Sequence, residues 1–223
     1  MDGLIIAIDG PSGAGKGTVA RGIAARLGYR HVDTGAMYRA VAWQALHDGV
    51  DVNDETAVAS IGERASFDLE DGKAIINGHD VAREIRTPRI DAAAAAVARH
   101  RAVREVLVRR QREMGRVGSV VMEGRDIGTV VFPEAHVKVY LDASPEERAR
   151  RRAADPAHAA SEKRAIAEIA TALAERDLSD STRAASPLAC AADAFVIDTT
   201  AMPVDAVVDL VLAVVESRRN ASH

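Results

Sequence analysis

The apolar run Leu4-Ile5-Ile6-Ala7-Ile8 stops at Asp9 and gives way to a loop with three glycines, after which apolar positions recur at helical spacing from Val19 to Leu27. This predicts a buried strand over 4–9, a loop over 10–17 and a helix to about residue 27, with Gly28 as its stop. The alternation then repeats. Tyr29–Asp33 reads as a short strand, and Thr34 caps a helix to about His47 that Asp48-Gly49 breaks. Ile90, Ala94 and Val97 keep one phase, and Val103 and Leu107 resume it only after a slip near His100, so the helical stretch 90–114 is expected to kink or break there. Strands follow at Ser119–Met122 and Val137–Leu141. Ser144 caps a helix from Pro145 that Pro156 ends, and a further helix runs from about Ser161 to Leu178 with Ile166, Ile169 and Leu173 on one face. Ala194–Ile197 is the last strand. Val204, Val207, Val208, Val211, Leu212 and Val215 then form the stripe of a final helix suited to docking on a sheet.

Residues 65–82 differ in character. Ser66–Leu69, Ala74–Ile76 and His79–Val81 read as short strands joined by Asp71-Gly72 and Asn77-Gly78, both hairpin signals. The chain is therefore expected to be one α/β domain: a parallel sheet with helices on both faces and right-handed crossovers, plus a small antiparallel insert. In such a sheet, ligands sit beyond the C-terminal strand ends. Residues 10–18, 33–39 and 123–126 fall there.

Composition narrows the picture. Of 223 residues, 48% are hydrophobic but only 3% aromatic, so the core must be built from Ala, Val, Ile and Leu. The net charge of −4 gives no reason to expect a nucleic-acid or membrane partner. Cys190 is the only cysteine, which rules out an intrachain disulfide; it is expected to be a buried small apolar residue. No apolar run has the length of a signal or membrane segment, so a soluble, cytoplasmic, monomeric protein is expected. The seven histidines show no metal-ligand spacing.

The first loop carries the strongest chemical signal. Gly10, Pro11, Ser12, Gly13, Ala14, Gly15, Lys16, Gly17 and Thr18 lie between a strand and a helix. Such a loop turns successive backbone N–H groups and a helix N-terminus toward a polyphosphate, with Lys16 as a point charge and Thr18 as a hydroxyl toward Mg²⁺. Gly17 separates Lys16 from Thr18, whereas the strict pattern places the hydroxyl directly after the lysine. Arg148, Arg151 and Arg152 share a helix face, as a solvated basic surface or as a lid over an anion. Arg176, Asp180 and Arg183 share another, as an ion-pair ladder or as ligands. Glu123-Gly124-Arg125-Asp126 ends a strand; there Arg125 suits a phosphate, Asp126 suits an exocyclic amine and Glu123 suits a metal-bound water. Arg39 is a second candidate phosphate ligand.

Together the loop, Asp33-Thr34-Gly35-Ala36-Met37-Tyr38-Arg39, Glu84-Ile85-Arg86-Thr87, Val103-Arg104-Glu105, Arg110-Gln111-Arg112, the run Gly124-Arg125-Asp126-Ile127-Gly128-Thr129-Val130-Val131-Phe132-Pro133, Leu141-Asp142-Ala143-Ser144 and Arg176-Asp177 through Asp180 to Arg183 resemble bacterial cytidylate kinases over nearly the whole chain. The resemblance implies a five-stranded parallel P-loop kinase core, a monophosphate-binding insert at about 60–90 and a lid at 148–163. The implied reaction moves the γ-phosphate of ATP, bound with Mg²⁺, to CMP or dCMP. Carried over by position, Thr34, Arg176 and Asp180 contact the ribose, and Arg39, Arg125 and Arg183 hold the acceptor phosphate. Arg104 and Asp126 read the cytosine edge. Lys16, Arg125, Arg148 and Arg152 act on the transferring group. The chain departs from the family at Ala95, where a Ser often helps read the base, at His100-Arg101-Ala102, where a Pro is usual, and through 153–163. A kinase of another small acceptor is the nearest alternative, and a nucleotide switch without catalysis is the alternative of a different class.

Overall fold

In a computed structural model, which describes residues 3–70, 72–155 and 165–221, the first apolar run is strand β1 (Ile5–Asp9), followed by helix α1 (Lys16–Leu27), β2 (Arg30–Asp33) and α2 (Thr34–His47). A helix α3 (Glu55–Arg64) precedes three two-residue strands, β3 (Phe67–Asp68), β4 (Ile75–Ile76) and β5 (His79–Asp80). Then come α4 (Pro88–Val97), α5 (Arg101–Gly115), β6 (Val120–Glu123), a π-helical turn (Ile127–Val131), β7 (Val137–Asp142) and α6 (Pro145–Ala154). The chain continues through α7 (Ile166–Thr182), β8 (Phe195–Asp198) and α8 (Val204–Ala221).

The large sheet has the order β2-β6-β1-β7-β8, and every pairing in it is parallel. β1 is central, pairing Ile8 with Glu123 on one side and Asp9 with Tyr140 on the other. One face packs Ile6, Ile8, Val139 and Leu141 against Ile23 of α1 and Val208 and Val211 of α8. The other carries Ala7, Val32, Val120 and Met122 against Val108 of α5 and Ile127. A further apolar cluster joins α2, α3, α4 and α5 to the small antiparallel sheet, through Met37, Val41, Val58, Ile76, Val97 and Leu107. Alanines of α2 (Ala36, Ala40, Ala42, Ala45) let its neighbours approach closely, so few aromatics are needed to fill the space.

Most predicted elements lie within a residue or two of their expected bounds, including the break between α4 and α5 at His100 and the left-handed Asn77-Gly78 turn. Three expectations need correction. Thr34 is not the cap of α2: Asp33 accepts the Ala36 N–H at 2.9 Å, and Thr34 turns its hydroxyl inward. Helix α3 is not foreseen, because its apolar positions (Val58, Ile61) span barely one turn; Asp54, which caps it on Ala57, is the signal present. Residue 60, the expected start of the insert, thus falls inside α3. On α7, Ile166, Ile169 and Leu173 do share a face, but it is only partly covered: Leu173 is buried, Ile169 half-buried and Ile166 54% exposed. Cys190 is exposed, in the coil before β8. Asp71, Pro156 and the expected helix start at Ser161 lie outside the described residues.

All five strands of the large sheet end in a carboxylate: Asp9, Asp33, Glu123, Asp142 and Asp198. Asp33, Asp142 and Asp198 each accept a backbone N–H from the residues just beyond them. Asp9 accepts the N–H groups of Ile127 (2.8 Å) and Gly128 (2.7 Å), so the end of β1 holds the π turn. Replacing Asp9 with Ala strands two buried N–H groups and is expected to lower the unfolding free energy by about 1–3 kcal/mol, read from urea melts. An unchanged midpoint would mean that the π turn does not depend on this carboxylate.

Candidate active site

Beyond Asp9 the chain must turn hard against β7. Gly10 has φ +146°, and a Cβ there would fall 2.0 Å from the Leu141 carbonyl oxygen, so only glycine allows this approach. Gly15, at φ +88°, is the N-cap of α1, which leaves the N–H groups of Lys16, Gly17 and Thr18 in the first helical turn without intrahelical acceptors. Lys16 is buried, and its Nζ donates to the Pro11 carbonyl at 2.7 Å. Burial, followed by the nearby positive charge of Arg125, pushes the ammonium down to about 7 despite Glu123, Asp9 and Asp33. Asp9 is pushed up to about 6 by burial, which outweighs the two N–H groups it accepts.

Glu123 faces this loop from the end of β6. Its Oε1 lies 3.0 Å from where a Gly17 Cβ would stand, so the absent side chain at 17 is what admits the carboxylate. On its other side, His31 Nε2 lies 3.0 Å from the same oxygen, and both residues are buried. Thr34 Oγ1 donates to the Glu123 carbonyl at 2.7 Å.

The far side of the site is a set of guanidinium–carboxylate pairs. Arg39 donates to Asp33 at 2.9 Å. Burial works against ionisation of Asp33, yet Arg39 and the Ala36 N–H hold its carboxyl below the usual range. Asp180 joins two elements: it accepts from Arg125 Nε at 3.0 Å and from Arg183 Nη1 at 3.2 Å. Burial also opposes its ionisation, and Arg125, Arg183 and Arg176 together hold it low. The expected Arg176–Asp180–Arg183 stripe is thus re-partnered. α7 ends at Thr182, Arg125 takes the place of Arg176 on Asp180, and Arg176 lies 3.7 Å from Asp91 of α4. Arg104 and Asp126 form a dry pair at 2.5 Å, with side chains only 3% and 7% exposed. Three guanidinium atoms in this cluster (Arg39 Nε, Arg104 Nε and Arg183 Nη2) are buried without a hydrogen-bond partner.

The three candidate arginines of α6 diverge. Arg148 is buried behind the loop, donating to the carbonyls of Ser12 (3.1 Å) and Ala143 (3.2 Å) and pairing with Asp177. Arg151 pairs with Glu147 and donates to the Thr199 carbonyl at 2.6 Å. Arg152 reaches Asp91 at 2.5 Å.

Loop and arginine cluster line one cavity of about 680 Å³. Of the candidates it gathers Ser12 to Thr18, Thr34, Arg39, Arg104, Glu123, Arg125, Asp126, Arg151, Arg152, Arg176, Asp180 and Arg183; Gly10, Pro11 and Arg148 lie behind its wall. Among the described residues, ten arginines and Lys16 face six carboxylates there, a strongly cationic lining in a chain of net charge −4. That lining includes both the phosphate loop and the arginine cluster. Ala94, Ala95 and Ala98 line it without offering a polar group. Asp91 is not among the residues the sequence singles out, and Asp33 and Asp177 appear there only within motifs, without a role of their own. An acid directly before a helix start marks Asp33, and the Arg176-Asp177 dipeptide carries Asp177.

A family model described as cytidylate kinase matches residues 6–217. A cytidylate kinase of Solibacter usitatus is 47% identical, covering 96% of this chain and 93% of that protein. One of Pelotomaculum thermopropionicum is 48% identical over 96% of each. Among solved structures, an uncharacterised protein of Eubacterium ventriosum superposes with a TM-score of 0.54 at 12% identity, over 96% of this chain and 99% of that one, a likeness of fold alone.

Because the free Lys16 ammonium is held near 7, it is largely neutral at pH 8, and a polyphosphate beside it restores the proton. Binding of ATP at pH 8, where the triphosphate is already ionised, is expected to take up about one proton, and affinity is expected to fall as pH rises through 7 and above. Calorimetry in two buffers of different ionisation enthalpy reads the uptake. It is expected to vanish in Lys16→Met, and heats independent of buffer in the wild type would overturn the assignment.

Proposed function

We propose that this chain, which belongs to the cytidylate kinase family, transfers the γ-phosphoryl group of ATP to the phosphate of CMP or dCMP, giving ADP and CDP or dCDP. One observation carries the reading beyond a simple nucleotide site: a second cationic cluster, with buried guanidinium N–H groups lacking acceptors, shares one cavity with the phosphate loop. A switch protein needs only the loop. A phosphotransferase needs two anions held in line, with cations between them.

ATP lies with its phosphates over Gly13 to Thr18, where the helix N-terminus and Lys16 take its charge. The acceptor phosphate is held by Arg39, Arg125 and Arg183, and the ribose by Thr34, Arg176 and Asp180. It is already anionic near neutral pH, so its oxygen attacks without a general base. Arg125 and Arg152 reach the cavity and neutralise charge on the transferring group. Arg148, behind the wall, keeps the Ser12 carbonyl and α6 in place. The region around 60–90 with α4 forms the monophosphate-binding side, and the lid expected over 148–163 begins on α6, its residues 156–163 lying outside the described residues.

The donor set fits a hydrated divalent ion: the Glu123 carboxylate, admitted by Gly17, and the Thr18 hydroxyl both border the loop. Mg²⁺ bound with ATP would spread the charge of the phosphates, and Glu123 and Thr18 would hold it through its waters.

Asp126 reads the base. Arg104 fixes one carboxylate oxygen, and the amine of cytosine is a donor where uracil has a carbonyl. With Ala95 contributing no hydroxyl, discrimination rests on this pair. Asp126→Asn, checked by melting temperature because the pair is buried, is expected to reduce the CMP-over-UMP ratio of kcat/KM by about tenfold or more. An unchanged ratio would place base reading elsewhere. The parent assay is ADP release from MgATP with CMP, dCMP, UMP and AMP offered separately. Strong turnover is expected with the first two only, and none with any acceptor would overturn the proposed reaction.

A further inference from the structure

Asp177 takes no part in the reaction proposed above, yet it is one of the few side chains that grips the phosphate loop from outside. Its Oδ1 accepts the backbone N–H of Ser12 at 3.2 Å, and its Oδ2 pairs with the Arg148 guanidinium. Arg148 in turn donates to the Ser12 carbonyl at 3.1 Å. Ser12 is therefore held at its N–H by α7 and at its C=O by α6. Gly13 follows so closely that a Cβ there would lie 3.0 Å from both the Arg148 Cβ and its carbonyl oxygen.

The same helix carries ligands of the second anion site. Arg176 adjoins Asp177 and lies 3.7 Å from Asp91 of α4, while Asp180, one turn on, holds Arg125 and Arg183. Residues 176 and 180 share a face, and 177 lies about 100° round the helix from 176. α7 is thus a single rod with one side in the acceptor pocket and the adjoining side on the phosphate loop.

We propose that Asp177 is a positioning residue that couples the two substrate sites: occupation of the acceptor pocket fixes α7, and through Asp177 it fixes Ser12 and Arg148 and hence the loop that receives ATP. The inference rests on the acceptor pocket binding CMP. Coupling of this kind is reciprocal, so a nucleotide on the loop strengthens CMP binding by the factor by which CMP strengthens the nucleotide. A residue that merely stabilises the fold would weaken both ligands and leave that factor untouched.

The test measures the dissociation constant of CMP with and without a saturating non-hydrolysable MgATP analogue, and that of the analogue with and without CMP. The wild type is expected to show a coupling factor of about fivefold or more, equal in both directions. In Asp177→Ala the factor is expected to fall to near one, while CMP binding in the absence of analogue changes less than twofold. Asp177→Asn, which keeps an acceptor for the Ser12 N–H but loses the charge facing Arg148, is expected to fall between, and it decides the matter if the alanine variant fails to fold. A wild-type factor of one, or a variant that keeps the wild-type factor, would overturn the proposal. Failure of the wild type to bind CMP at all would instead overturn the acceptor reading on which it stands.

Discussion

Taking a charge out of water is costly unless an opposite charge follows it, and this molecule concentrates that problem along one edge of its sheet. Five parallel strands end there in carboxylates, and the cavity beside them, which two of these carboxylates line, brings guanidinium groups and a buried lysine together. The sum remains positive. Lys16 shows the strain most clearly: with only a carbonyl for a partner, its ammonium is held near neutrality. Phosphate is the ion that resolves this arrangement, because it brings several acceptors and more than one negative charge to groups already aimed at it.

The apolar architecture makes such an edge possible. β1 lies in the middle of the sheet and both its faces are covered, so Asp9 and the loop after it have little room to drift. The π turn at Ile127–Val131 hangs from Asp9, which fixes the nearby Arg125 and Asp126 relative to the phosphate loop. Two stretches distant in sequence thereby share one anchor. The alanine-rich contact between α2 and its neighbours does the same for Thr34 and Arg39, since those side chains ride on a helix whose inner face admits little shift.

Where function depends on a local backbone pattern, the sequence was easy to read. The Gly10–Thr18 loop, the strand and helix alternation and the Asn77-Gly78 turn all follow from short-range chemistry, and the structure has them. Partner choice was less legible. Arg148, Arg151 and Arg152 share a helical face by spacing, but Arg148 turns under the loop toward Asp177 while Arg152 crosses to Asp91, because the carboxylates that select them come from α7 and α4. Asp180 binds Arg125, a residue 55 positions away, in addition to its helical neighbour Arg183. Cys190 is exposed, against its expected burial, for a related reason. Apolar character says what a residue tolerates, and only the packing of the remaining elements decides whether it is covered.

Burial sorts the ion pairs of the cavity into two kinds. Arg104–Asp126 is dry, and separating its members would strand a charge, so it behaves as a fixed part of the wall, which is what the base-reading role proposed above requires. Arg39–Asp33, Arg125–Asp180 and Arg152–Asp91 are partly open to solvent, and the cost of parting them is correspondingly lower. These carboxylates satisfy arginines that, in the reading proposed above, a phosphate would engage. An incoming phosphate therefore exchanges one anion for another instead of desolvating a bare cation. That exchange lets a strongly positive pocket persist in an acidic chain without collapsing or unfolding. It also favours a dianion over a carboxylate: a single phosphate can engage two or three guanidinium groups at once, whereas each carboxylate in place is tied to its own strand or helix.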